Sequence, residues 1–224
     1  MKQKMFIFGS SSFAEIAATY FFRSDQFEVL GHIVDSNFKT EDSIGNLPIY
    51  ASGTFEANQL IDECTYFYVA STYTELNRFR TRKYFEFKSI GLMPASYVSP
   101  NAFIDPTVTL GEHIFIFENN VIQFGTKIHS NSVLWSGNHI GHHSVIEENV
   151  FISSQVVLSG HCRVGKNTFL GVNATVYNNV DIGEDNWIGP NSVVSKSTSR
   201  NVMMRAEPTK PSQLETTKFF RIVE

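Results

Sequence analysis

Residues 140–158 read IGHHSVIEENVFISSQVVL, with Ile140, Ile146, Ile152 and Leu158 spaced six apart. Followed outward in both directions, the spacing never breaks: every sixth residue from Val98 to Val194 is Ile, Leu or Val. These three types fill about a fifth of an average chain, so seventeen successive matches are a pattern and not coincidence. A period of six fits neither the 3.6 of a helix nor the alternation of a long strand. It is the hexapeptide signature of a parallel β-helix, in which one hexad forms one face and its corner. The position four residues after each aliphatic is mostly small or β-branched, as at Ala102, Thr126, Ser132, Ser144, Cys162, Thr168 and Ala174, which suits a narrow prism. Ile114, Asn120, Asn138 and Asn186 are larger exceptions.

Three hexads make one triangular coil, so residues eighteen apart stack about 4.8 Å above each other. Backbone groups then pair with the coils above and below, and the aliphatics fill the axis. The hexads run from residue 98 to about 199, between five and six coils. The outer faces carry Phe115, Phe117, Trp135, Phe151, Phe169 and Trp187. Large apolar patches are rarely left in water, so some of these residues are expected to be covered by other subunits.

The first hundred residues lack the repeat. Short apolar strands are expected over 4–8, 27–34 and 66–70, and helices over 13–22, 54–64 and 77–89, a β-α-β-α-β-α order that implies a small parallel sheet. The chain therefore divides into an α/β, Rossmann-like unit (1–95), an all-β parallel β-helix (96–200) and a tail (201–224) expected to fold back as a loop and short helix. The 224 residues carry 18 Lys+Arg against 22 Asp+Glu and no basic block, which argues against a nucleic-acid partner. No apolar run is long enough to span a bilayer and the first residues lack a signal-peptide core, so a cytoplasmic protein with no membrane partner is expected. Of the two cysteines, Cys64 and Cys162, the latter falls at a small inward position and reads as a buried thiol.

Two places could carry chemistry. The turn Gly9-Ser10-Ser11-Ser12 joins a strand to a helix, where phosphates meet backbone N–H groups, and Asp35 closes the second strand where an acid can accept from a ribose or base. One glycine stands where a dinucleotide fingerprint has three, and a plain strand–helix turn and turn aspartate remain alternatives. The unit lacks the second half that a dinucleotide needs, so a mononucleotide or nucleotide sugar fits better. The second place is Asn138-His139-Ile140-Gly141-His142-His143, with three of the seven histidines on an outer corner. A neutral imidazole is a natural base for deprotonating an amine or hydroxyl as it attacks a thioester. His142 stacks one coil from Gly160, whose N–H could hold an oxyanion. With no cysteine near, and with His139 and His142 in adjacent hexads, no metal is expected here.

These residues resemble the bacterial hexapeptide sugar acyltransferases, above all the nucleotide-sugar N-acetyltransferases of bacillosamine and perosamine type and the sialic-acid O-acetyltransferases. The likeness rests on the Gly9–Ala14 turn, Asp35, Ala70-Ser71-Thr72-Tyr73 followed by Asn77 and Arg80, and the hexads. It implies a left-handed prism, a homotrimer with sites between subunits, and acetyl-CoA as co-substrate held near Gly160, Val172 and Gly189. It implies substrate contacts at Gly9, Ser11, Phe13, Asp35 and Tyr73. In that family the catalytic histidine precedes an acid, as in His-Asp-x-x-Ile; here His142-His143-Ser144-Val145-Ile146 puts a histidine in the acid's place. The group that orients His142 is then expected at Asn138, Glu118 or a backbone carbonyl, and His139 with His142 in support is an alternative base. The expected activity is acetyl transfer to the amino group of a nucleotide-linked amino-deoxy sugar. O-acetylation of a sugar or sialic-acid-like hydroxyl and a non-catalytic assembly role are the alternatives.

Overall fold

The computed structural model describes residues 2–54, 60–62 and 65–222. The helix expected over 54–64 falls largely outside this set, as does Cys64. From Tyr97 to Met204 the chain is a parallel β-solenoid of two-residue strands, β7 (Tyr97–Val98) to β24 (Met203–Met204), in three sheets of seven, six and five strands. Pairing follows the eighteen-residue rule: Val121 lies beside His139, which lies beside Val157. The hexad aliphatics from Ile116 to Val194 are buried along the axis, while Val98 and Leu110 are partly exposed because no coil lies beyond them. A second code sits three residues after each aliphatic from Leu110 to Ile188, where the corner turns through the left-handed region. Asn131, Asn149, Asn167, Asn173, Asn179 and Asn191 all have φ near +60° there, a conformation that Asn tolerates better than most residues. The last strand, β24, pairs with β22 (Trp187–Ile188) two residues short of the usual spacing, so the register break after Ser199 does not end the sheet.

Among the described residues the N-terminal part forms a six-stranded sheet in the order β3 (Ser43–Ile44), β4 (Leu47–Ala51), β2 (Phe27–Val34), β1 (Gln3–Phe8), β5 (Tyr66–Val69), β6 (Met93–Pro94). Strands β1, β2, β4, β5 and β6 run parallel. The expected β-α-β-α-β-α order needs correction here, because β3 pairs antiparallel with β4 across the two-residue turn Gly45-Asn46. Helix α1 (Ser12–Arg23) packs on β1 and β2, and helix α2 (Arg78–Ser89) on β5 and β6.

This unit lies against one face of the solenoid. Phe13 packs on Phe115, Phe117 and Trp135, and Tyr73 on Phe151 and Phe169. Phe115, Phe117, Phe151 and Phe169 are therefore buried by their own chain and not by other subunits. The periodicity marks what points outward but not what covers it. A corner ladder strengthens the contact. His113, Asn131, Asn149, Asn167 and Asp185, eighteen apart, are joined by side-chain hydrogen bonds of 2.8–3.1 Å, and Arg78 and Arg200 close the chain at Asp185. Arg80 of α2 is fully buried beside the ladder and donates to the Asn131 and Thr72 carbonyls and to Asn77 Oδ1, each at 3.0 Å. Beyond β24, residues 205–222 include the expected short helix, α3 (Thr216–Phe219), but they are exposed and do not fold back onto the chain. Among the described residues no helix is long and apolar enough to cross a membrane.

Candidate active site

The sheet order places β1 between β2, which precedes β4 in the chain, and β5, which leads back toward the solenoid. The winding direction thus reverses between β1 and β5, and in open parallel sheets ligands settle outside the strand ends at such a point. A cavity of about 250 Å³ lies there, lined among others by Gly9, Ser11, Asp35, Ser71 and Thr72. Asp35 is already engaged: its Oδ1 accepts from Lys83 Nζ at 2.5 Å and Ser52 Oγ at 3.3 Å. Burial disfavours the Lys83 charge, but the bonds to Asp35 and Glu86 outweigh it and hold the ammonium above its usual pKa. The following loop is strained, because Glu75, Leu76 and Asn77 turn consecutively through φ of +51° to +68°. Phe13 and Tyr73 do not line this cavity. Their rings pack on the solenoid face instead. A larger opening of about 690 Å³ beside Arg23, Tyr97 and Glu118 holds none of the expected site residues except Glu118.

The histidines occupy the corner between β14 (His139–Ile140) and β15 (Val145–Ile146). His142 is exposed and its ring lies over Gly160: a Cβ at 160 would come within 2.7 Å of His142 Cε1 and Nε2. The Gly160 carbonyl accepts from Asn179 N–H in the next coil. The partner of the His142 ring is its neighbour, with Nδ1 of His142 3.0 Å from Nδ1 of His143. Neither expected orienting side chain is available. Asn138 is buried, donating to the Trp135 carbonyl and accepting from Val156 N–H. Glu118 accepts from Ser136 and Tyr20. His139 points outward from β14 between Val121 and Val157 and stands apart from the cluster.

The sequence reading missed His161. Its ring stacks on His143 at 4.8 Å with 9° between planes, and both stand perpendicular to His142. The signal was present, since the eighteen-residue step that joins 142 to 160 also joins 143 to 161. Of the remaining expected residues, Val172 is exposed and its carbonyl accepts from Asn191 N–H. At Gly189 a Cβ would strike the Trp187 ring and approach the Met204 carbonyl, reason enough for glycine without any ligand.

Known structures share this architecture. The acetyltransferase domain of PglB from Neisseria gonorrhoeae superposes with a TM-score of 0.81 at 18% identity, covering 94% of this chain and 100% of that one. PerB from Caulobacter crescentus, in complex with CoA and GDP-perosamine, gives 0.79 at 20% identity over 89% and 92%. WeeI from Acinetobacter baumannii gives 0.78 at 16% identity over 89% and 94%. At such identities the likeness is one of fold. No curated protein sequence matches the chain. A sequence family described as the GMPPB C-terminal domain matches residues 92–204, which take in every strand of the solenoid and half of the chain. The chain belongs to the GMPPB C-terminal domain family.

Proposed function

We propose that this chain is an acetyl-CoA-dependent N-acetyltransferase acting on the amino group of a nucleotide-linked amino-deoxy sugar. The observation that carries the reading is the His142 ring laid over Gly160 on an exposed corner, a general base beside a backbone with no side chain in the way. The cavity at the β1–β5 reversal supports the nucleotide half of the reading. So do two solved structures of the same fold, the PglB acetyltransferase domain in complex with acetyl coenzyme A and PerB with CoA and GDP-perosamine. In this reading residues 1–95 form a Rossmann-like nucleotide-sugar unit, 96–200 a left-handed transferase prism and 201–224 a tail. Gly9, Ser11 and Asp35 hold the nucleotide, and the backbone at Gly160, Val172 and Gly189 guides the acetyl donor. The chain works as a homotrimer with its sites between subunits.

His142 Nε2 accepts a proton from the sugar amine as the amine nitrogen forms its bond to the thioester carbonyl carbon. The displaced electron pair collects on the carbonyl oxygen, where the Gly160 N–H donates to it. When the pair returns, the C–S bond breaks and His142 gives its proton to the departing thiolate. The products are the N-acetyl sugar and free CoA thiol.

The test is thiol release from acetyl-CoA with a panel of UDP-, dTDP- and GDP-linked amino sugars. Turnover on one of them, reduced by a factor of about 100 or more in His142→Ala and far less in His139→Ala, is the expected result. The reverse order, with the larger loss in His139→Ala, would move the base to His139, and silence across the panel would end the N-acetyltransferase reading.

A further inference from the structure

His142, His143 and His161 each offer a ring nitrogen, and the three atoms lie within 4.8 Å of one another on the solvent side of the corner. Two features set this cluster apart from scattered surface histidines. His143 and His161 occupy the left-handed corner position, with φ of +57° and +56°, that Asn fills in most other coils; the next residue on this corner is Asn179. The third histidine of that kind, His113, is fully buried, its Nε2 accepting from Val69 N–H and its Nδ1 bonded to Asn131. His143 and His161 have no such task. Their ring contacts are with each other, with His142 and with Phe124.

We propose that this corner is a binding site for a zinc-like divalent cation, and that the bound ion switches acetyl transfer off. Three imidazole donors suit zinc, which takes nitrogen ligands at about 2.0–2.1 Å and leaves a fourth position open to water. A tetrahedral ion of that bond length needs nitrogens about 3.3 Å apart. His142 and His143 already stand at 3.0 Å, and exposed rings can turn to bring in the third. Hard cations such as magnesium prefer oxygen and are not accommodated.

The inhibitory half of the proposal rests on the reading of His142 as the base. A neutral imidazole has one lone-pair nitrogen and one N–H. Zinc on Nδ1 of His142 leaves the ring's only proton on Nε2, the atom over Gly160, and zinc on Nε2 covers that atom directly. Either way no lone pair remains to accept the amine proton.

The full-length protein, stripped with EDTA and dialysed, would be titrated with zinc against a colorimetric zinc indicator, with magnesium as control. One zinc per chain is expected, bound at least about tenfold more weakly in His161→Asn and His143→Asn. Asparagine suits the corner's backbone, so these variants keep the coil intact. Cobalt(II) in place of zinc should give the intense visible absorption of a four-coordinate site. Substoichiometric zinc, or full affinity in both variants, would overturn the site. In the transfer assay, thiol release by the wild type should fall as zinc occupancy rises and return with EDTA. Binding without inhibition would overturn the switch and leave the site standing. A protein that binds zinc but acetylates nothing would keep the site while sinking the base assignment.

Discussion

A methyl group at residue 160 would occupy space that the His142 imidazole already fills, 2.7 Å from Cε1 and Nε2. Gly160→Ala must therefore turn the ring aside while leaving the coil's hydrogen bonds in place. A catalytic group displaced by about 1 Å can cost about 100-fold in rate. We expect kcat to fall by that order with the thermal midpoint unchanged, and an alanine variant with wild-type kcat would remove the apposition from the mechanism. His113 makes a different prediction. Burial drives its pKa down to about 3, Arg80 and Lys88 push the same way, and the bond to Asn131 opposes them. The unfolded chain takes up this proton as pH falls through about 6.5, whereas the folded chain refuses it until about 3. The stability that neutral His113 contributes is thus complete above pH 6.5 and lost on acidification, at about 1 kcal/mol per pH unit. Urea midpoints between pH 6.5 and 4.5 should fall steeply in the wild type and less so in His113→Asn. Some slope persists in the variant, because burial also lowers the pKa of His32. At this scale the pairing of His142 with Gly160 was legible, being arithmetic on the repeat. The burial of Asn138 and the turning away of Phe13 and Tyr73 were not, because they depend on which face another element covers.

Helix α2 buries Tyr84 and Phe87 against the sheet and, beside them, one cation without a carboxylate partner. Arg80 is fully buried, and burial pulls its pKa down to about 10. Its charge is met by carbonyl oxygens of the 71–72 loop and of the Asn131 and Asn149–Val150 corners, and by the Asn77 and Asn131 side-chain oxygens. Removing the guanidinium strands several buried acceptors, each worth about 1–3 kcal/mol when left unsatisfied. Arg80→Met should therefore cost at least about 3 kcal/mol in urea unfolding. Arg82→Ala, which breaks the exposed pair with Glu75 and removes a guanidinium from over the Phe79 ring, should move the midpoint far less. Equal effects would mean that α2 is held by something other than Arg80. Most elements of this unit could be read from apolar runs and helical spacing. The β3–β4 hairpin could have been suspected from Gly45-Asn46 between two short runs. The ladder was hidden because it is written in the third position after each aliphatic, a position whose backbone demand shows only once the corner is seen.

Across the whole molecule, the three faces of the solenoid have different fates. The first, from Tyr97 through Phe115, Val133, Phe151 and Phe169, is buried under the N-terminal unit. The second presents Thr109, Lys127, Val145, Arg163 and Asp181, a surface made for water. The third presents Phe103, Val121, His139, Val157, Thr175 and Val193. Phe103 is 60% exposed, Val157 41% and Val193 55%. The hexad period made the prism and its inward positions readable, yet it placed the partner on the wrong aromatics, because the face that looks richest in Phe and Trp is covered from within. An apolar stripe on a rigid flat face calls for a matching surface, and in the proposed homotrimer that surface belongs to further copies of this chain. The same stripe carries His139 and runs into the His142 corner, so the partner that covers it also borders the site. A charge in the middle of the stripe would have to be buried unpaired on assembly, a cost of several kcal/mol, whereas in the lone chain it would stand in water at no cost to the fold. Val157→Glu should therefore lower the mass measured by light scattering from three chains to one, keep the far-ultraviolet circular dichroism spectrum, and take acetyl transfer down with the assembly. A wild type that scatters as a single chain would detach the stripe from trimer formation. A monomeric Val157→Glu that still turns over at the wild-type rate would place the whole site within one subunit.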